Sequence, residues 1–274
     1  LEVQVSNTLQ DEAIQVWEGS VRRYLNAVGW GPSATLTRKY NNGISLYFNA
    51  PIDVLYAACE LNEAAWQLAL SEMNNEGSVI FPQEVNRLKK EIEEELNPNI
   101  LALKKGSIEN KVRFLQSDDI VSVGTGEGSQ SFAVDKISNS AEIDWNEVSD
   151  IPVILITGTN GKSTTVRLME TILAEAELNP GASSTDGLRI NLETVEAGDY
   201  SGPEGARATL RTRGISSAVL EVARGGILRR GLPVENVQAA IITNVAEDHF
   251  GEWGVNSLPD MIETKFVVRK SLSE

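Results

Sequence analysis

The chain has 274 residues, 41% hydrophobic and 23% charged, with a formal net charge of −15. That length allows one large domain or two modest ones, and the composition allows a sizeable core. The acidity argues against nucleic-acid and anionic-membrane partners, and no apolar run reaches spanning length, so the expectation is a cytoplasmic protein with neither partner.

In chain order, residues 8–28 predict a helix with Leu9, Ala13, Val16, Trp17, Val21, Tyr24, Leu25 and Val28 on one stripe. "SATLTRKYNNGISLYFNAP" alternates apolar and polar residues on both sides of Asn42-Gly43, a hairpin signal. Pro51 opens a second helix to about Met73, and "PQEVNRLKKEIEEEL" predicts a third. The single cysteine, Cys59, cannot form an internal disulfide and falls in an apolar helical pattern, so we expect a buried structural thiol made in a reducing compartment. Two short strands follow around "DDIVSVGTGEGSQSFAV"; its "GTGEGS" is followed by "SFAV" and no long helix, so a hairpin turn is expected rather than a phosphate loop.

Residues 136–150 are polar and predict a linker between an N-terminal α+β domain at 1–135 and a second domain at 151–274. Beyond it, apolar runs recur at "PVILIT", "SAVLEV" and "AAIITNV", with helix-like segments between them. Continuous apolar runs suit parallel strands buried on both faces, and the alternation implies an open α/β sheet. Such sheets bind ligands at the carboxyl ends of their strands, and each run ends in a polar, glycine- or charge-bearing loop. The first Leu rather than Met, and an end at "KFVVRKSLSE" that reads as part-way through a helix, predict a fragment.

The first of these loops is Gly158-Thr159-Asn160-Gly161-Lys162-Ser163. Its glycines allow close approach of the backbone, and the following helix adds its positive end, so phosphate oxygens would find several amide donors. Lys162 would bridge β- and γ-phosphate oxygens and Ser163 would ligate Mg²⁺. The helix face expected behind the loop is Val166, Met169, Ile172, Leu173 and Ala176. The common pattern places a glycine five residues before Gly161, where this chain has Ile156.

"TGTNGKST" resembles the short phosphate loop of the Mur ligase superfamily, which has two residues rather than four between its glycines, so Ile156 would be a core strand residue. "STDG" (Ser184–Gly187), "GDYSGPEGAR", "AVLEVARGGILRRGL" and "TNVAEDHFGEWG" resemble the cyanophycin-synthetase-like branch, in order, across about 125 residues from Ile151 to Glu274. The resemblance implies a P-loop-type open, mainly parallel sheet for residues 151–274, incomplete at its C-terminal end, and ATP and Mg²⁺ as cofactors. It implies nucleotide contacts from Gly158, Thr159, Asn160, Gly161, Lys162, Ser163, Thr164 and Asn244. Glu221 ends an apolar strand, where a carboxylate needs a partner; the alternatives are Mg²⁺ and a salt bridge to Arg224 or Arg229. The only histidine, His249, would be a ligand of a second Mg²⁺ by resemblance, with Asp248 orienting its ring, or else a structural residue. Lys265, in a helix that Ser257 can cap and Pro259 can start, matches a lysine that some Mur ligases carbamylate into a metal bridge; the alternative is a solvated lysine. Ser184, Thr185 and Asp186 would form a substrate-facing loop, and Arg207 and Arg224 would face an anionic group or else make surface ion pairs.

The activity so implied is an ATP-dependent ligase that joins a carboxylate to an amino-acid-like amine, with Lys162, Glu221, His249 and Lys265 as catalytic residues and an amino-acid-containing small molecule or polymer as substrate. The alternative is a nucleotide-binding module without ligase activity; a small-molecule kinase is a third. The N-terminal part shows no ATP-grasp signature, and two roles stand open to it: positioning an acceptor, or holding a homo-oligomer together.

Overall fold

The computed structural model describes residues 1–75, 80–137, 143–247 and 250–273. They divide into two compact units, Leu1–Leu101 with Gly251–Gly254, and Ala102–Phe250 with Val255–Glu274.

The first unit packs helices on one small antiparallel sheet. Its strands are β1 (Glu2–Gln4), β2 (Thr35–Tyr40) and β3 (Gly43–Phe48), in the order β1-β3-β2. Tyr40 pairs with Gly43, so the hairpin turns at Asn41-Asn42, one residue earlier than the Asn42-Gly43 signal suggests, and Asn42 takes a positive φ of 56°. Helices α1 (Gln10–Val28), α2 (Leu55–Met73) and α3 (Phe81–Glu95) follow the predicted order. Trp17, Val21, Tyr24 and Leu25 of α1 meet Ile44, Leu46 and Leu61 in one core, while Leu9 stays exposed just ahead of the helix. The buried Trp17 indole donates to Asn62 Oδ1 at 3.0 Å, and Asn62 donates on to the Leu46 carbonyl, so both polar groups are satisfied inside the core. Cys59 is exposed, not buried. It lies on the stripe of α2 that carries Glu63 and Gln67 at four-residue steps, while Ala57, Ala58, Leu61 and Ala65 face inward. A fourth helix, α4 (Pro98–Glu109), was not legible in the sequence and runs across the division between the units.

The second unit holds a three-stranded antiparallel sheet, β4 (Phe114–Gln116), β5 (Ile120–Val123) and β6 (Gln130–Ala133). The "GTGEGS" segment is the connection between β5 and β6, with a short 3-10 turn at Gly126–Gly128. Arg211 reaches this sheet with bonds to Ser122, Ser117 and the carbonyls of Leu115 and Ile120. Part of the expected 136–150 linker lies outside the described residues; its end is anchored, with Arg113 N and Thr125 Oγ1 both donating to Asp150.

The main sheet has six strands in the order β10-β9-β8-β11-β7-β12. These are β7 (Val153–Thr157), β8 (Pro180–Ser184), β9 (Gly187–Ile190), β10 (Glu193–Ala197), β11 (Ser217–Glu221) and β12 (Ala239–Ile242). β8, β11, β7 and β12 run parallel, and β9 and β10 extend the edge as antiparallel strands. The mainly parallel α/β sheet expected of residues 151–274 is therefore present. Alternate residues separate its faces. Ile156, Ala182 and Val219 pack with Val166 of α5 (Lys162–Glu175), and Val153, Leu155, Ala218 and Leu220 pack with Ala206 and Leu210 of α6 (Pro203–Arg211). Ile156 is fully buried, a strand core residue as the short-loop reading requires.

The buried side of α5 is Val166, Met169, Glu170 and Leu173; Ile172 and Ala176 point to solvent, contrary to the expected face. Glu170 takes the core position because Arg189 of β9 binds both of its oxygens, at 3.0 and 3.2 Å. Burial raises the Glu170 pKa despite that guanidinium. Two helices complete the unit, α7 (Arg224–Arg230) and α8 (Leu258–Phe266). The Ser257 hydroxyl caps α8 by accepting from Asp260 N at 3.4 Å, with Pro259 in the first turn. The segment read as an unfinished helix leaves α8 at Phe266, makes a 3-10 turn, and bonds Val237 through Ser271 and Ser273. Among the described residues no helix is long and apolar enough to cross a membrane.

Candidate nucleotide and metal site

Strand β7 is central, with β11 on one side and β12 on the other, so the loop after β7 emerges where the crossovers diverge. Gly158 opens that loop with φ +149°; a Cβ there would sit 1.9 Å from Thr243 Oγ1. Only a glycine allows this contact between the loop and the end of β12. Gly161, at φ +80°, turns the chain into α5, whose first amides lack intrahelical acceptors and face outward with Lys162, Ser163 and Thr164.

The loop is held from three sides. Asn244 grips the Asn160 backbone at two points, accepting from its N–H at 3.1 Å and donating to its carbonyl at 3.0 Å. Thr243 Oγ1 donates to the same carbonyl at 2.6 Å, and Thr159 exchanges bonds with Ala246. Lys265 is only 3% exposed and donates from Nζ to the Gly158 carbonyl at 2.8 Å, across 107 residues of sequence. It is a buried lysine against the loop and not a solvated one. Lys162 lies over the loop with Nζ 3.0 Å from the Thr159 carbonyl.

Three oxygen-bearing side chains converge beside the helix start. Glu221, at the end of β11, is 1% exposed. Its Oε2 accepts from Ser163 Oγ at 2.9 Å and from Thr185 N at 3.4 Å, while its buried Oε1 has no hydrogen-bond partner among the described residues. Ser163 Oγ also lies 2.9 Å from Thr185 Oγ1. With the Ser163 proton given to Glu221, Thr185 is the donor of that last bond. An orphaned buried carboxylate oxygen beside two hydroxyls is an all-oxygen set that fits Mg²⁺, which takes one or two carboxylates and completes its octahedron with phosphate and water. Among the described residues no group of three or more His, Cys, Asp and Glu gathers as a metal cage.

The remaining expected site residues fall as follows. Ser184 is buried at the end of β8 and accepts from Asp186 N; Asp186 is exposed and pairs with Arg167 of α5 at 2.9 Å. Arg207 pairs with Glu204 one turn earlier on α6. Arg224 begins α7, partly exposed. His249 and Asp248 lie outside the described residues. Sequence reading placed Thr243 beside Asn244 in a loop at the strand ends but gave it no role, and it missed Arg167, whose partner is 19 residues away.

Comparison with known proteins points to the same stretch. Residues 156–273 match the model of the Mur ligase middle domain. A cyanophycin synthetase from Geminocystis herdmanii is 42% identical over 128 residues, 47% of this chain and 15% of that protein. A UDP-N-acetylmuramoyl-L-alanyl-D-glutamate--2,6-diaminopimelate ligase from Geobacter sulfurreducens is 31% identical over 119 residues, 41% of this chain and 23% of that one. A solved structure of a ligase with that last name aligns at TM-score 0.37 and 22% identity, covering 44% of this chain and 25% of its own. The chain thus spans less than a quarter of the length of either of these two curated relatives.

Proposed function

We propose, from the match of residues 156–273 to the Mur ligase middle domain, that the chain is the nucleotide-handling part of an ATP-dependent ligase joining a carboxylate to an amino-acid-like amine. The observation that carries this reading is the convergence of Ser163, Thr185 and the orphaned Glu221 oxygen beside the loop that begins α5. In the reaction, a substrate carboxylate attacks the γ-phosphorus of ATP, giving an acyl phosphate and ADP. The amine then attacks the acyl carbon, and inorganic phosphate leaves with the bond electrons.

The protein's share is positioning and electrostatics. The amides from Gly161 to Thr164 and the positive end of α5 cradle phosphate oxygens. Lys162 swings from the Thr159 carbonyl to the transferred phosphoryl group and offsets its charge. Ser163, Glu221 and Thr185 would hold Mg²⁺, which when bound screens one anion from another. Asn244, Thr243 and Lys265 hold the loop rigid so that little reorganisation is left to the reaction. His249 is assigned to a second metal, and Ser184, Thr185, Asp186, Arg207 and Arg224 to the substrate side, on resemblance. The substrate is of the amino-acid-containing class.

The second reading is a nucleotide-binding module completed by other polypeptide; the favouring observation is that the matched region is so small a share of its relatives. Amino-acid-dependent release of ADP from Mg-ATP, with an amide product detected by mass spectrometry, is the expected result for a ligase. Tight Mg-ATP binding with no amine-dependent turnover would favour the module, and a phosphorylated product without an amide would point to a kinase.

A further inference from the structure

Three polar contacts tie α5 to the hairpin of β8 and β9, and they run in one line. Ser163, Arg167 and Glu170 are spaced i, i+4 and i+7, so they share one stripe of the helix. Ser163 Oγ lies 2.9 Å from Thr185 Oγ1, and Arg167 Nη2 meets Asp186 Oδ2 at 2.9 Å. Arg189 Nε donates to both oxygens of Glu170, at 3.0 and 3.2 Å. Arg189 pairs across the hairpin with Ala182, which packs with Val166 of α5, so it stands on the sheet face that the helix covers. Its guanidinium reaches on to Thr194 Oγ1 at 3.0 Å and to the Leu192 carbonyl, fastening the turn into β10 as well.

Two of the three oxygen-bearing side chains beside the helix start are placed by regular structure, Ser163 by the first turn of α5 and Glu221 by the end of β11. Thr185 is not. It sits with Asp186 in the exposed two-residue turn between β8 and β9, so its hydroxyl depends on whatever holds that turn. Arg167 holds Asp186, the next residue, and the Glu170–Arg189 pair holds the body of the hairpin. Neither pair is a strong source of cohesion. The first is exposed, where an ion pair contributes little. The second puts a fully buried carboxylate beside Val166, Met169 and Leu173, where an apolar side chain would stabilise as well or better. What both pairs supply is direction, because a guanidinium fork meets a carboxylate in one register while apolar surfaces can slide. Mg²⁺ is sensitive to such registration, since it holds its oxygens in a near-ideal octahedron at about 2.0–2.1 Å.

We propose that Arg167, Glu170 and Arg189 are positioning residues that register Thr185 against Ser163 and so set the affinity of this site for Mg²⁺; this rests on the metal reading of Ser163, Thr185 and Glu221. The Mg²⁺ dependence with which the full chain binds a fluorescent ATP analogue, with no acyl or amine substrate present, tests it. A Glu170→Met/Arg189→Met variant keeps the net charge and should melt no lower than the parent. Its half-saturating Mg²⁺ concentration should nevertheless rise about tenfold, the loss typical of a residue behind a metal ligand. Nucleotide affinity with Mg²⁺ chelated should be unchanged, since Asn244, Thr243 and Lys265 hold the loop from its other side. At the exposed pair, Arg167→Met and Asp186→Asn should each raise half-saturating Mg²⁺ about two- to fivefold, and the double variant no more than either. A role through charge alone would move the two single variants in opposite directions and leave the double like the parent, because one loses a positive group and the other a negative one. That pattern, or a parent-like Mg²⁺ curve from Glu170→Met/Arg189→Met, would overturn the positioning role. Should the buried double variant melt early, the exposed pair decides alone. Glu221→Gln separates positioning from the metal seat itself. If it moves the Mg²⁺ curve and the Arg167, Glu170 and Arg189 variants do not, positioning alone falls; if it leaves the curve in place, the seat falls and positioning with it.

Discussion

Replacing Glu221 by glutamine should move two observables in opposite directions. The carboxylate is buried, with one oxygen bonded to Ser163 and Thr185 and the other without a hydrogen-bond partner among the described residues. A buried acceptor left orphaned costs about 1–3 kcal/mol. Glutamine keeps the shape and can keep the Ser163 bond through its carbonyl, and it removes a buried charge. Recovery of about 1 kcal/mol is expected, which for a unit of this size raises Tm by about 2–4 °C. Magnesium-dependent nucleotide binding should fall at the same time. Loss of even an indirect metal partner costs roughly 10- to 100-fold in affinity, about 1.4–2.8 kcal/mol, and a direct ligand should cost no less. Differential scanning calorimetry without ligand, and fluorescence titration of a labelled ATP analogue across a Mg²⁺ series, read the two effects separately. A variant that melts higher yet follows the parent's Mg²⁺ curve would refute the metal seat. A variant that melts several degrees lower would refute the account of the orphaned oxygen.

Lys162→Ala should abolish tight Mg-ATP binding with the melting temperature nearly unchanged, because its amine bonds the Thr159 carbonyl of its own loop and, among the described residues, no other element; equal affinity in titration would remove the phosphate-loop assignment. Gly158→Ala should destabilise the second unit by about 1–3 kcal/mol, since a methyl group would collide with Thr243 at a positive φ; urea unfolding within about 0.5 kcal/mol of the parent would contradict that packing. Burial raises the Glu170 pKa, so folding favours its protonated form. Its stabilising contribution is present below the unfolded value and is lost as pH rises through the folded one. The stability of the parent relative to Glu170→Gln should therefore improve as pH falls through the mildly acidic range, and calorimetry showing the reverse slope would mean that Arg189 outweighs burial. His249→Ala should weaken the Mg²⁺ dependence of nucleotide binding; superimposed metal titrations would make His249 structural.

Local rules made much of the fold legible before any tertiary contact was known. Helices α1 and α2 announce themselves by apolar stripes, the first hairpin by alternation around Asn42-Gly43, and α8 by Ser257 and Pro259. The parallel strands β7, β11 and β12 are runs of Val, Ile, Leu and Ala because both of their faces are covered. Strand β8 was missed because "PGASS" is buried through smallness rather than apolarity, and β10 because every residue of "ETVEA" is exposed. Cys59 was misplaced because apolar neighbours in sequence do not say which side of α2 faces the core.

What this sequence determines by itself is chemistry tied to adjacent residues. Two glycines, a lysine and a serine between an apolar run and a helix set the loop-and-helix geometry on which the proposed phosphate site rests, since turn geometry and helix-end amides are local properties. Tertiary structure alone decides what surrounds that loop. It brings Glu221 to Ser163 across 58 residues, Asn244 to Asn160 across 84 and Lys265 to Gly158 across 107. It also leaves one carboxylate oxygen orphaned beside two hydroxyls. Those separations are closed by the strand order of the sheet and the packing of α8, and no periodicity along the chain encodes a hydrogen bond between elements so far apart.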